Sequence, residues 1–89
     1  MKNVIARAMN TIHKVELVEI TEGKKKEFLV RNCKRNSTGR GPAGDKVVLD
    51  PKEAFRDFRK KVTHRQSSDH EKMKMAFPCG KGVYLGMIR

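Results

Sequence analysis

Asp50-Pro51-Lys52-Glu53 limits what this chain can fold into more than any other stretch. Asp accepts hydrogen bonds from the first amides of a helix, and Pro suits the first helical position, where its missing N–H costs nothing. Glu three residues after the cap completes a capping box. The signals predict a helix from this point to about His64. At about 100° per residue, Ala54, Phe55, Phe58 and Val62 share one face, and Lys52, Arg56, Arg59 and Lys60 share the opposite one. The apolar stripe has to be laid against a core, and 89 residues supply one thin core.

The rest of the chain supplies strands for that core. Thr11–Thr21 is rich in β-branched residues, with Val15, Leu17 and Glu19 alternating against Glu16, Val18 and Ile20. Glu22–Lys26 reads as a turn, and a second strand runs from Phe28 to about Cys33. The result is a hairpin with a basic tip, Lys24–Lys26, which suits a solvated turn and a phosphate contact equally. Val47-Val48-Leu49 is a short third strand. Gln66-Ser67-Ser68-Asp69 reads as a break. Lys72–Phe77 alternates like a strand, Pro78–Gly82 turns, and Val83–Ile88 closes a C-terminal hairpin. Val4-Ile5 and Ala8-Met9 have helical spacing, so residues 1–10 are expected to form a short N-terminal helix or arm ahead of a domain over 11–89. The order (α)βββαββ predicts an α+β fold, a small antiparallel sheet with one main helix packed across it.

Charge points to the partner. The net charge is +11, and residues 24–65 hold fourteen Lys and Arg against five acids. Solubility does not require one sign to be concentrated in this way, whereas binding a polyanion does. Between the strands lies Ser37-Thr38-Gly39-Arg40-Gly41-Pro42-Ala43-Gly44-Asp45-Lys46. Glycines let another backbone approach and Pro stiffens the path, so this reads as a shaped loop that presents Arg40 and its own amides. The candidate nucleic-acid contacts are Arg31, Lys34, Arg35, Gly39, Arg40, Gly41, Lys46, Arg56, Arg59 and Lys60. With five aromatics and no Trp, base stacking is limited and weak sequence specificity is expected.

Other chemistries fit poorly. Gly39-x-Gly41-x-x-Gly44 has the letters of a dinucleotide fingerprint, but Asp45–Leu49 reads as strand where that motif needs a helix. Asp45 separates Gly44 from Lys46, so this is no P-loop. Gly41-Pro-Ala-Gly44 has the letters of the GxxG clamp of KH domains, which joins two helices. His13, His64, His70, Cys33 and Cys79 match no zinc spacing. His64, His70 and Glu71 are the residues to nominate for general acid–base cleavage of RNA, but surface histidines beside Ser and Asp are usually solvated. No cofactor, metal or catalytic activity is expected. The two cysteines are far apart, Met1–Met9 lacks a signal-peptide core, and no apolar run approaches membrane-spanning length. The expectation is a cytoplasmic protein with reduced thiols.

The order Lys14-Val-Glu-Leu-Val-Glu, Glu27-Phe-Leu-Val30, Thr38-Gly-Arg-Gly-Pro-Ala-Gly44, Lys46-Val-Val-Leu49 and Lys52-Glu-Ala-Phe-Arg-Asp-Phe58-Arg-Lys-Lys61 resembles a WGR domain. That module binds nucleic acid in DNA-damage-activated poly(ADP-ribose) polymerases and occurs in small bacterial proteins. Met75-Ala-Phe-Pro-Cys-Gly-Lys-Gly-Val-Tyr84-Leu is similar to its closing segment, so the resemblance spans about residues 12–88. The family's signature tryptophan falls on Thr38, and the segment between Phe28 and Gly39 is shorter than usual. What carries over is Gly39-Arg40, which implies contact with a nucleic-acid backbone, with RNA favoured over DNA because the end-reading tryptophan is missing. The polymerases' catalytic domain has no counterpart. A second expectation, from another class, is an inhibitor or adaptor that grips an acidic protein partner, such as a phage-encoded, antitoxin-like inhibitor of a host nuclease or toxin. A third is a small nuclease.

Overall fold

The longest strands come from the β-branched segments, and they pair in the simplest way. In the computed structural model, which describes residues 1–36 and 47–88 (the last two as backbone only), β2 (His13–Glu22) and β3 (Lys25–Lys34) form a hairpin. Its register runs from His13↔Lys34 to Glu22↔Lys25 around Gly23-Lys24. Gly23 has φ +58, the left-handed angle that a two-residue loop needs at its first position and that glycine adopts without a Cβ penalty.

β1 (Lys2–Met9) lies antiparallel beside β2, and β4 (Val47–Val48) lies antiparallel beside β3 at Phe28 and Leu29. After α1 (Pro51–Asp69) the chain returns as β5 (Lys74–Ala76) against β1, and then forms α2 (Lys81–Ile88). The described strands form one antiparallel sheet of order β4-β3-β2-β1-β5, with α1 packed across one face.

Asp50 and Pro51 act as their chemistry requires, whereas Glu53 makes no bond back to the Asp50 amide and the expected capping box does not close. The Asp50 side chain accepts from the Lys52 amide at 3.0 Å, and Pro51 opens α1. Ala54 and Phe58 are fully buried, with Phe55 and Val62 packed at the margin. Facing them across the sheet are Val15 and Leu17 of β2, Phe28 and Val30 of β3, and Ala6 and Ala8 of β1. The other sheet face carries Val18 and Leu29, paired side by side in the register and both buried.

Three further expectations are corrected. Residues 2–9 form strand β1, not a helix, and β1 pairs on both sides. The register shifts between Val4 and Ala6, so Ile5, Ala6 and Ala8 all turn inward. The extra residue of that bulge breaks the period-2 pattern and leaves apolar spacing that imitates a helix. Residues 66–69 continue α1 instead of breaking it. Tertiary bonds hold this last turn: Gln66 Oε1 accepts from the Met73 amide at 2.8 Å, and Asp69 is bonded by Asn10 and His13. His70 then ends the helix in the left-handed region at φ 53, at a cost of about 1–2 kcal/mol for a non-glycine residue.

Residues 83–88 lie in helix α2, not in a strand, so there is no C-terminal hairpin. A turn closed by the Gly80 amide on the Phe77 carbonyl at 2.9 Å sends the chain back over α1. There Tyr84 docks between Phe55 and Phe77, with ring centroids 5.2 and 4.7 Å away. Contact with those rings outweighs the β-propensity of Val-Tyr-Leu.

Candidate nucleic-acid interface

The outward flank of α1 carries a basic surface. Lys52, Arg56, Arg59 and Lys60 are all exposed. Residues four apart on a helix stand about 6 Å apart along its axis on one side, so Lys52, Arg56 and Lys60 form a row. Arg56 and Lys60 make no side-chain hydrogen bond or ion pair among the described residues. They share a hollow with Asp50, Glu53 and Asp57, of which Asp50 caps the helix and Asp57 is engaged by Lys61 at 3.0 Å. The Arg59 guanidinium lies over the Phe55 ring, 5.8 Å from its centroid, which holds an otherwise mobile cation in place. Arg59, Lys60, Thr63, His64 and Ser67 line an open hollow of about 550 Å³, so two hydroxyls stand beside the cations.

The remaining candidates do not join this flank. Arg31 sits on the opposite face of the sheet, in a cross-strand row Arg7–Glu16–Arg31. Glu16 is only 3% exposed and accepts from Arg7 Nε at 2.8 Å. Arg31 Nε is buried with no hydrogen-bond partner. Lys34 ends β3 opposite His13. Arg35 follows it, with its amide on the Ile12 carbonyl at 3.0 Å. Both therefore lie beside the β1–β2 turn. Lys24, Lys25 and Lys26 are exposed at the far end of that hairpin. Gly39, Arg40, Gly41 and Lys46 lie outside the described residues. The expected track is thus divided between the α1 flank, the far sheet face and the turn end of the sheet.

The residues that sequence reasoning missed cluster at that turn end. Asn10 is buried, and its Oδ1 accepts from the Ile12 and His13 amides at 2.9 and 2.7 Å. Its Nδ2 donates to Asp69 Oδ2 at 3.0 Å, and His13 Nδ1 lies 2.8 Å from the same oxygen. Glu71 accepts from the Thr11 amide through Oε1 and from the Thr11 hydroxyl through Oε2, at 2.6 and 2.7 Å. Hydrogen bonds to the ionised form lower both acids, Asp69 chiefly through Asn10 and then His13, and Glu71 chiefly through the Thr11 hydroxyl and then its amide. An Asn between two apolar stretches is an ordinary turn signal, but nothing near it in sequence points to partners about sixty residues away.

The histidines nominated for acid–base chemistry stand apart from this cluster in role. His64 is exposed on α1, His70 is the helix C-cap, and the Glu71 carboxylate is occupied by Thr11. Among the described residues no three of His, Cys, Asp and Glu converge to hold a metal ion. Cys33 and Cys79 are free thiols. No helix among the described residues is long and apolar enough to cross a membrane. The five aromatics are buried or half-buried, and three are stacked on one another. None offers a bare ring to a base.

No protein-family model matches the chain, and no curated protein or solved structure matches it.

Proposed function

We propose that this protein binds nucleic acid through phosphates, with low sequence specificity and without catalysis, as a WGR-like module. The exposed row Lys52–Arg56–Lys60 on α1, with Arg59 beside it, carries this reading: four cations on one helix, none of them in an ion pair among the described residues. Phosphate contacts need charge and position, and this surface supplies both; base readout by stacking needs exposed rings, which the described residues lack. RNA is favoured over DNA on the ground given by the resemblance, the Thr38 in place of tryptophan.

Titration of a labelled oligonucleotide at several salt concentrations tests the proposal. About six phosphate contacts would weaken binding by on the order of a thousandfold between 50 and 200 mM salt. An affinity indifferent to salt removes the phosphate reading. In the same titration Arg40→Ala should weaken binding more than Lys2→Ala, and Arg40→Lys should not restore it, because lysine lacks the planar donor fork.

A second reading, an inhibitor or adaptor for a protein partner, has its own observation. Leu49 is 73% exposed and, with Phe28, Pro51 and Val83, lines a groove of about 440 Å³ rimmed by Glu19, Lys26, Asp50 and Lys52. A pull-down with and without nuclease treatment separates the two readings.

A further inference from the structure

A different basic site lies at the turn end of the sheet. Met9, Asn10, Thr11, Arg35, Glu71, Lys72 and Lys74 line a cleft of about 260 Å³. Its three cations come from two parts of the chain: Arg35 follows β3, while Lys72 lies between α1 and β5 and Lys74, two residues on, opens β5 opposite Met9. All three side chains are exposed, and none makes a hydrogen bond or ion pair among the described residues. The one acid in the cleft, Glu71, has each carboxylate oxygen bonded to Thr11.

Hydrogen bonds tie the wall of the cleft. Asn10 fixes the turn through both ends of its amide, and the Arg35 amide is tied to Ile12. The volume lies below the range usual for drug-sized ligands, so the cleft suits a small group. Three cations against one ionised carboxylate leave a surplus of two positive charges. That matches a phosphate, which carries about −1.5 to −2 as a monoester and −1 as a diester. A cationic ligand has no complement here.

We infer that this cleft is a phosphate-binding site in which Arg35, Lys72 and Lys74 hold the oxyanion. Arg35 supplies a two-toothed donor and the lysines supply point charges. The site stands on its own geometry and does not require the α1 surface to bind nucleic acid. The phosphate comes either from a polynucleotide backbone or from a small phosphorylated molecule.

Amide NMR spectra of the full chain, titrated with inorganic phosphate and in parallel with chloride at matched ionic strength, test this. Phosphate should saturate and shift the amides of Met9, Asn10, Thr11, Arg35, Glu71 and Lys74, while chloride leaves them in place. The double variant Arg35→Gln/Lys74→Gln should weaken phosphate about tenfold or more, one lost charge-assisted bond being enough for that factor. Lys2→Gln/Lys81→Gln, at exposed lysines outside the cleft, should leave it unchanged. Shifts that never saturate, that chloride reproduces, or that both double variants reduce equally would overturn the site.

A hydroxyl-ended oligonucleotide is the second arm. If it shifts the same amides and free phosphate competes with it, a polynucleotide supplies the group; if it shifts only amides elsewhere while phosphate still binds here, a small phosphorylated molecule does. An oligonucleotide that binds nowhere removes the nucleic-acid reading and leaves the phosphate arm to decide the cleft.

Discussion

Nδ1 of His13 lies 2.8 Å from Oδ2 of Asp69, joining the β1–β2 turn to the last residue of α1. The same oxygen accepts from Asn10. A helix end whose sequence reads as a break is therefore held from the opposite end of the chain.

The acid response of the fold follows from that junction. Asp69 lies below its ordinary value of 3.8 and Glu71 below its ordinary 4.5. Each binds a proton more weakly folded than unfolded. The stability they contribute is complete above those ordinary values and is lost as pH falls through the lowered ones. Thermal melts between about pH 2.5 and 7 should show this loss on the acid side. Asp69→Asn should melt lower than wild type at neutral pH and show a flatter acid limb. An unchanged acid limb in Asp69→Asn would remove Asp69 from the account.

The core prediction concerns Phe58, which is 0% exposed beneath α1. Phe58→Ala should cost about 3–5 kcal/mol, a large share of the stability of so small a domain. Asp50→Ala, which removes only the cap, should cost about 1 kcal/mol. Urea denaturation of the two variants should rank them in that order.

Sequence made α1 and the β2–β3 hairpin legible because their signals are local. Asp50 and Pro51 act within one turn, and the alternation around Val15 and Leu17 is uninterrupted. β1 was misread because the bulge at Ile5 breaks the alternation that marks a strand. The end of α1 and the whole of α2 were misread because distant residues decide them, Asn10 and His13 for one, Phe55 and Phe77 for the other. The α1 candidates lay on the exposed face that the wheel gave them. Arg31 fell on the other side of the sheet because strand alternation, not proximity in charge pattern, sets its direction. Lys72 and Lys74 drew no attention because their neighbour in space, Arg35, is far away in sequence.

Tyr84 should prove to be what holds α2 helical. An eight-residue helix is marginal alone, and Tyr84 is the buried side chain described within it. Tyr84→Ala should lower far-UV helical signal and remove the ring contacts to Phe55 and Phe77, at a cost of about 3 kcal/mol. Tyr84→Phe keeps the ring and should retain the helix. Equal loss in both variants would place the effect in the hydroxyl rather than in the stacked ring.

On the outward flank of α1, Arg56→Gln and Lys60→Gln should each reduce the slope of log affinity against log salt by about 1, because each removes one phosphate contact. Circular dichroism should be unchanged, since neither side chain has a partner to lose. A slope that stays at the wild-type value in the double variant would exclude this flank from the interface.

β1 is made well before β5, yet the two are neighbours in the sheet. On the ribosome, the Arg7–Met9 edge of β1 therefore stays bare until residues 74–76 have emerged, while β2 and β3 can already close around Gly23. Until then the nascent chain exposes an unpaired strand edge, and such edges invite pairing with other chains. Arg7, at the rim of that edge and already bonded to Glu16, places a charge where a stray strand would dock.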